Sequence, residues 1–249
     1  MLLYEPPPTQ ADIHFRLFGF PVRVSPWFWI VALMFGVSGG PVDPVETLLW
    51  VGVILVSIVV HELGHAFLLR QYGGHPRISL HGFGGLTICE DCERSPGRQI
   101  IISLAGPIAG FCLAGLVILI LAVSGHFQGF RLGMLPVQWT PYDAGLPGKV
   151  QFRDVLVSMF LFVNIFWGIL NLFPIYPLDG GRIARELFTL GNPRRGIVAS
   201  LWLSAVTSVA VAGYALWLGL FIMTLLFGYL AYTSYQTIRA YEQHSQGGY

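Results

Sequence analysis

The sequence predicts an all-α polytopic membrane protein: about six transmembrane helices, with a short re-entrant β-hairpin, in a single domain over residues 1–249. Three observations lead there. Of the 249 residues 54% are hydrophobic and only 11% charged, where a soluble domain carries about 25% charged residues, and the mean hydropathy is +0.65. The apolar residues come in long runs rather than short alternating segments, which favours membrane helices over a barrel. The basic residues fall on alternate sides of those runs. A net charge of +1 gives no field to recruit nucleic acid, so none is expected as a partner. The first partner is the lipid bilayer.

The N-terminal 25 residues hold Pro6-Pro7-Pro8 and scattered charges in place of a basic patch and an apolar stretch, so no cleavable signal peptide is expected. Within them Phe15–Gly19 and Pro21–Val24 read as a strand pair or an interfacial segment. The first span, Pro26–Val37, is short and ends in the turn-rich Ser38-Gly39-Gly40-Pro41. The second runs over Val45–Tyr72, the third over Arg98–Ser124 and the fourth over Phe152–Phe173. The last two, Ile197–Trp217 and Leu218–Ile238, are separated only weakly. As one helix of roughly 40 residues they would be twice what a bilayer needs. Residues 239–249 are expected to form a flexible tail.

Orientation follows from Lys and Arg. An N-inside topology with six spans places Arg16, Arg23, Arg70, Arg77, Arg94, Arg98, Arg182, Arg185, Arg194, Arg195 and Arg239 in the cytoplasm. Only Arg131, Lys149 and Arg153 remain on the far side.

The chemistry concentrates in span two, as His61-Glu62-Leu63-Gly64-His65. Residues four apart share one helical face, so both imidazoles can reach one ion, and Glu62 can reach a water beside it. Such a pair needs a Lewis acid to acidify water and a carboxylate to take its proton. Ionisable groups at membrane depth usually mark function. Two imidazoles leave a zinc site one protein ligand short. Asp179 is the candidate: it lies in Pro174-Ile175-Tyr176-Pro177-Leu178-Asp179-Gly180-Gly181, where prolines and glycines interrupt the helix, and the topology sets it at the depth of His61 and His65. The alternative is that Asp179 only caps the following segment.

His61-Glu-Leu-Gly-His65 with Asn171-Leu-Phe-Pro174 and Leu178-Asp179-Gly180-Gly181-Arg182 resembles the site-2 protease family of intramembrane zinc metalloproteases, in the compact form without PDZ or CBS domains. Pro21–Val24, Gly82–Gly85 and Ser103–Pro107 look like further family features. The resemblance implies one Zn2+ per chain held by His61, His65 and Asp179, with Glu62 as the catalytic base and Asn171 on the substrate backbone. It implies peptide-bond hydrolysis in or near the transmembrane segment of a membrane-anchored protein, such as a transcription regulator or an anti-sigma-like protein.

The segment Gly73–Leu86 reads as a hairpin whose edge can pair with an unwound substrate, which adds Gly82, Phe83 and Gly84 as substrate-binding candidates; an ordinary glycine-rich turn is the alternative. His81 reads as a loop histidine. Cys89-Glu-Asp-Cys92 has zinc-like spacing without a second pair, and reads as an acidic loop with reduced thiols. Gly106-Pro-Ile-Ala-Gly110 offers a small-residue face for packing between spans two and four, and Asn164 is expected to hydrogen-bond to a neighbouring helix. The rival from another class is a non-hydrolytic metal-binding membrane protein, a transporter or an inactive protease-like chaperone. A transporter would spread polar residues over several spans.

Overall fold

The computed structural model describes residues 5, 7–36, 43–82, 84–92, 95–124, 130–131, 138–139 and 152–246. The turn at 38–41, Phe83 and all but four residues of the 125–151 loop lie outside them. Two compact units emerge, one of Met1–Glu93 with Ala105–Ile169, the other of Arg94–Leu104 with Leu170–Tyr249.

The first unit opens with strands β1 (Ile13–Leu17) and β2 (Phe20–Val24), paired antiparallel from Ile13↔Val24 to Leu17↔Phe20. Phe18 and Gly19 supply the positive-φ turn between them. After α1 (Pro26–Gly36) and α2 (Pro44–Gln71) come β3 (Arg77–His81) and β4 (Gly84–Ile88), a second antiparallel pair. The predicted hairpin is therefore present, ending at Ile88, two residues beyond the expected Leu86. The all-α expectation needs correcting: β2 also pairs parallel with β3, Val22 opposite Ile78 and Val24 opposite Leu80, making one four-stranded sheet in the order β1-β2-β3-β4. The reason is burial. Phe20, Val22 and Val24 alternate onto one face of β2, and join Ile78, Leu80, Phe28, Leu63 and Ala66 in a single core against α1 and α2.

Helix α2 starts at Asp43, whose carboxylate accepts the Val45 and Glu46 backbone N–H groups at 2.7 and 3.4 Å, with Pro44 at its first position. It ends where Gly73 turns left-handed at φ 90° and the Gly74 N–H closes onto the Leu69 carbonyl at 3.1 Å. Arg70, in the last turn, donates to the Phe18 carbonyl at 3.0 Å and stacks over the Phe20 ring, clamping the first hairpin to α2. Helix α3 (Pro96–Val123) follows, then a two-residue strand pair, β5 (Phe130–Arg131) and β6 (Gln138–Trp139). Next is α4 (Phe152–Leu161), which passes through a π-helical turn (Phe162–Trp167) into α5 (Gly168–Asn171).

The second unit holds α6 (Asp179–Thr189), α7 (Pro193–Trp217) and α8 (Phe221–Gln246), with α7 packed on both neighbours. The weak boundary at Leu218 is a real break: Gly219 takes φ 74° between α7 and α8. Helix α8 runs on past Arg239 to Gln246.

Among the described residues three helices are long and apolar enough to cross a membrane, Pro44–Gln71, Pro96–Val123 and Arg195–Trp217; Pro26–Gly36 and Val155–Asn171 are shorter apolar helices. In α8 Tyr229, Tyr232, Thr233 and Gln236 dilute an otherwise sufficient length. The outward apolar residues, Leu48, Val123, Val206 and Trp217 among them, suit contact with lipid. The chain is a multi-pass membrane protein.

Candidate metal centre

The C-terminal half of α2 carries the motif. One turn apart, the His61 and His65 Nε2 atoms lie 3.2 Å from each other, and their rings meet edge to face. Two nitrogens bound to one tetrahedral zinc at about 2.0–2.1 Å would be about 3.3 Å apart. The imidazoles therefore hold a spacing that suits a shared divalent cation. His65 is buried and His61 half-buried.

Space for this arrangement comes from glycines on neighbouring elements. A side chain at Gly106 on α3 would overlap both imidazoles at Nε2, and one at Gly64 would strike the Ala105 backbone. The predicted small-residue face of span three thus packs on α2, and the motif histidines fill the room it leaves. Farther along, Gly110 sits beside Asn164. The Asn164 amide donates to Ser57 Oγ on α2 and to the Phe160 carbonyl, both at 2.9 Å. The expected interhelical hydrogen bond is present, from within the π turn.

Glu62 is 5% exposed and points at the hairpin. The Thr87 hydroxyl on β4 donates to Glu62 Oε2 at 2.6 Å and lies 3.1 Å from the Glu62 carbonyl oxygen. Any side chain at Gly85 would overlap the carboxylate at Oε1. The carboxylate is therefore held through one oxygen, with glycine backbone beside the other. The sequence marked the Gly82–Gly85 run but not Thr87, because a lone threonine in a strand has no pattern; only the β3–β4 register aims it at α2.

Two other readings change. His81 is not in a loop: it ends β3 and is 7% exposed. Burial pushes its imidazole pKa below the ordinary value, against the opposing pull of the Glu62 charge. Cys89 and Cys92 are not separate thiols but a disulfide. The hairpin returns Cys89 to the end of α2, where Gly74, without a side chain, leaves a seat for both sulfurs.

Of the remaining candidates, Gly82 turns the hairpin and Gly84 opens β4. In the second unit Asn171 ends α5, and Asp179 is the first residue of α6, 6% exposed. The cap position belongs to Leu178, which makes no side-chain capping bond, so Asp179 is not the N-cap. The preceding turn contains a cis Tyr176–Pro177 bond.

Residues 50–213 match the model of Peptidase family M50. The chain belongs to that family. Its relatives include zinc metalloprotease MJ0392 of Methanocaldococcus jannaschii, 25% identical over 214 residues, covering 85% of this chain and 55% of that protein. Stage IV sporulation protein FB of Bacillus subtilis is 26% identical over 175 residues, covering 69% of this chain and 49% of that protein. The chain thus spans about half the length of the curated relatives it matches. Among solved structures, the site-2 protease from Methanocaldococcus jannaschii shares the fold, with a TM-score of 0.60 at 22% identity over 92% of this chain and 95% of that one.

Proposed function

We propose that this M50 chain is an intramembrane zinc metalloendopeptidase that hydrolyses peptide bonds in or near the transmembrane segment of a membrane-anchored protein. One observation carries the reading: a carboxylate held by a single hydrogen bond, on the same helix as two imidazoles at metal-sharing distance. A transporter needs no such base.

The donor set fits one zinc, with His61 and His65 supplying two nitrogens and Asp179 the third ligand. The family motif over Asn171–Gly181 and the burial of the Asp179 carboxylate support that choice. Bound zinc supplies Lewis acidity toward water and the scissile carbonyl. The chain's own residues do the rest. Glu62, steadied at Oε2 by Thr87, takes the proton of the attacking water on its other oxygen and passes it to the departing amine. The β3–β4 hairpin, at Gly82, Phe83 and Gly84, receives the unwound substrate as an added strand, and Asn171 hydrogen-bonds its backbone. The chain crosses the bilayer about six times with its N-terminus in the cytoplasm, the three long apolar helices being joined by shorter ones. The site then lies near the cytoplasmic side, and the substrate is a membrane-anchored transcription regulator or anti-sigma-like protein.

Glu62→Gln keeps the shape of the base but not its proton affinity. It should retain one zinc per chain and lose about 10²- to 10⁴-fold in cleavage of a reconstituted membrane substrate. Near-normal cleavage would overturn the assignment of the base. Full zinc content in Asp179→Ala would show that another group closes the site.

A further inference from the structure

The loop between β4 and α3 places more chemistry together than the peptidase reading uses. Cys89 directly follows β4, and Cys92 is bonded to it across the exposed pair Glu90-Asp91. Both sulfurs rest on Gly74, where any side chain would overlap them. The same loop is held a second time: Asp91 accepts the His75 backbone N–H at 3.0 Å and pairs with the His75 imidazole at 2.6 Å. The two cysteines are half-buried, so a solvent-borne thiol can reach them. A disulfide closing so short a loop constrains the unfolded chain little, and stability is a weak reason for it. Under the N-inside topology the loop faces the cytoplasm, where disulfides that do form are transient and reactive.

The sulfurs are also tied to the base. Cys89 is two residues beyond Thr87, whose hydroxyl grips Glu62, and the sulfur seat at Gly74 terminates the helix that carries Glu62. The bonded pair of sulfurs thus packs against the end of the helix that carries Glu62, and β4 leads from Cys89 back to Thr87. Opening the disulfide lets the two sulfurs part and loosens that packing.

We propose that Cys89 and Cys92 form a thiol–disulfide exchange site for a dithiol reductant, and that the oxidised form holds β4 and Thr87 against Glu62. A thiolate of the reductant attacks one sulfur, forming a mixed disulfide and releasing the other cysteine as a thiolate. The reductant's second thiol then attacks the reductant's own sulfur in that mixed disulfide and displaces the remaining cysteine, so two electrons and two protons pass to Cys89 and Cys92 and the reductant leaves as its own disulfide. The exchange half stands alone; the control of Thr87 rests on the peptidase reading of Glu62.

The experiment uses the full chain in liposomes, carrying Cys112→Ser to remove the third thiol, poised with reduced or oxidised dithiothreitol. A mass-tagged maleimide should add two labels after reduction and none after oxidation. Cleavage should be roughly tenfold slower in the reduced form, the low end of what a hydrogen bond to a charged group contributes. The double variant Cys89→Ser/Cys92→Ser should match the reduced rate and ignore the reductant. Thr87→Val should be slow in both states, and Thr87→Ser should restore the redox response. Labelling that ignores the poise would overturn the exchange site. So would uptake of a second zinc by the reduced chain, because Cys89, Asp91 and Cys92 would then be metal ligands. Equal cleavage in both states would overturn the link to Glu62. Normal exchange with no cleavage in either state would count against the peptidase reading alone.

Discussion

Gly106 and Gly85 in the first unit do different work from Gly196 in the second. In the first, Gly106 and Gly85 remove side chains that would overlap imidazoles and a carboxylate, so the space they free is filled by reactive groups. In the second, Gly196 at the start of α7 lets backbone meet backbone: a side chain there would overlap the Phe188 carbonyl at the end of α6. One polar pair in each unit shows the same contrast. In the first unit Thr87 grips Glu62; in the second, Ser204 on α7 pairs with Ser234 on α8 at 2.8 Å and accepts the Tyr176 backbone N–H at 2.8 Å. Beside the imidazoles and the Glu62 carboxylate, small residues make room. Where polar atoms serve assembly, they satisfy each other, as an apolar solvent demands.

Substituting the two kinds of glycine tests that contrast most strongly. Gly106→Ala should reduce zinc affinity about 10- to 100-fold, as loss of a supporting contact does, and abolish cleavage while the helical circular dichroism stays intact. Gly196→Ala should do the reverse, lowering stability by about 1–3 kcal/mol through overpacking with zinc content unchanged, read by thermal unfolding in detergent. If Gly106→Ala kept its zinc, the glycine would be serving helix packing like Gly196, and the contrast would fail.

The serine pair gives smaller effects that rank within the second unit. Ser204→Ala strands the Tyr176 N–H and should cost about 1–3 kcal/mol. Ser234→Ala removes one partner of a hydroxyl that keeps its other bond and should cost about 0.5–1.5 kcal/mol. Equal losses would mean that the Tyr176 N–H finds another acceptor. Neither change should alter cleavage measured well below the melting temperature.

What the sequence determined by itself is local. Apolar runs placed the long helices within a few residues of α2 (Pro44–Gln71) and α3 (Pro96–Val123), because hydropathy acts over a stretch the chain already contains. The spacing of His61 and His65 foretold two imidazoles on one face, because a helical turn is a property of four residues. The tertiary structure decided what depends on residues far apart. The parallel pairing of Val22 with Ile78 turned two separate hairpins into one sheet, and the β3–β4 register aimed Thr87 at Glu62. The same register brought Cys89 and Cys92 onto Gly74, where their spacing alone reads as loose thiols. Slipping a strand by one residue would turn Thr87 to the other face. No short window of sequence records which register wins, since that is set by how β2, β3 and α2 bury their apolar faces together.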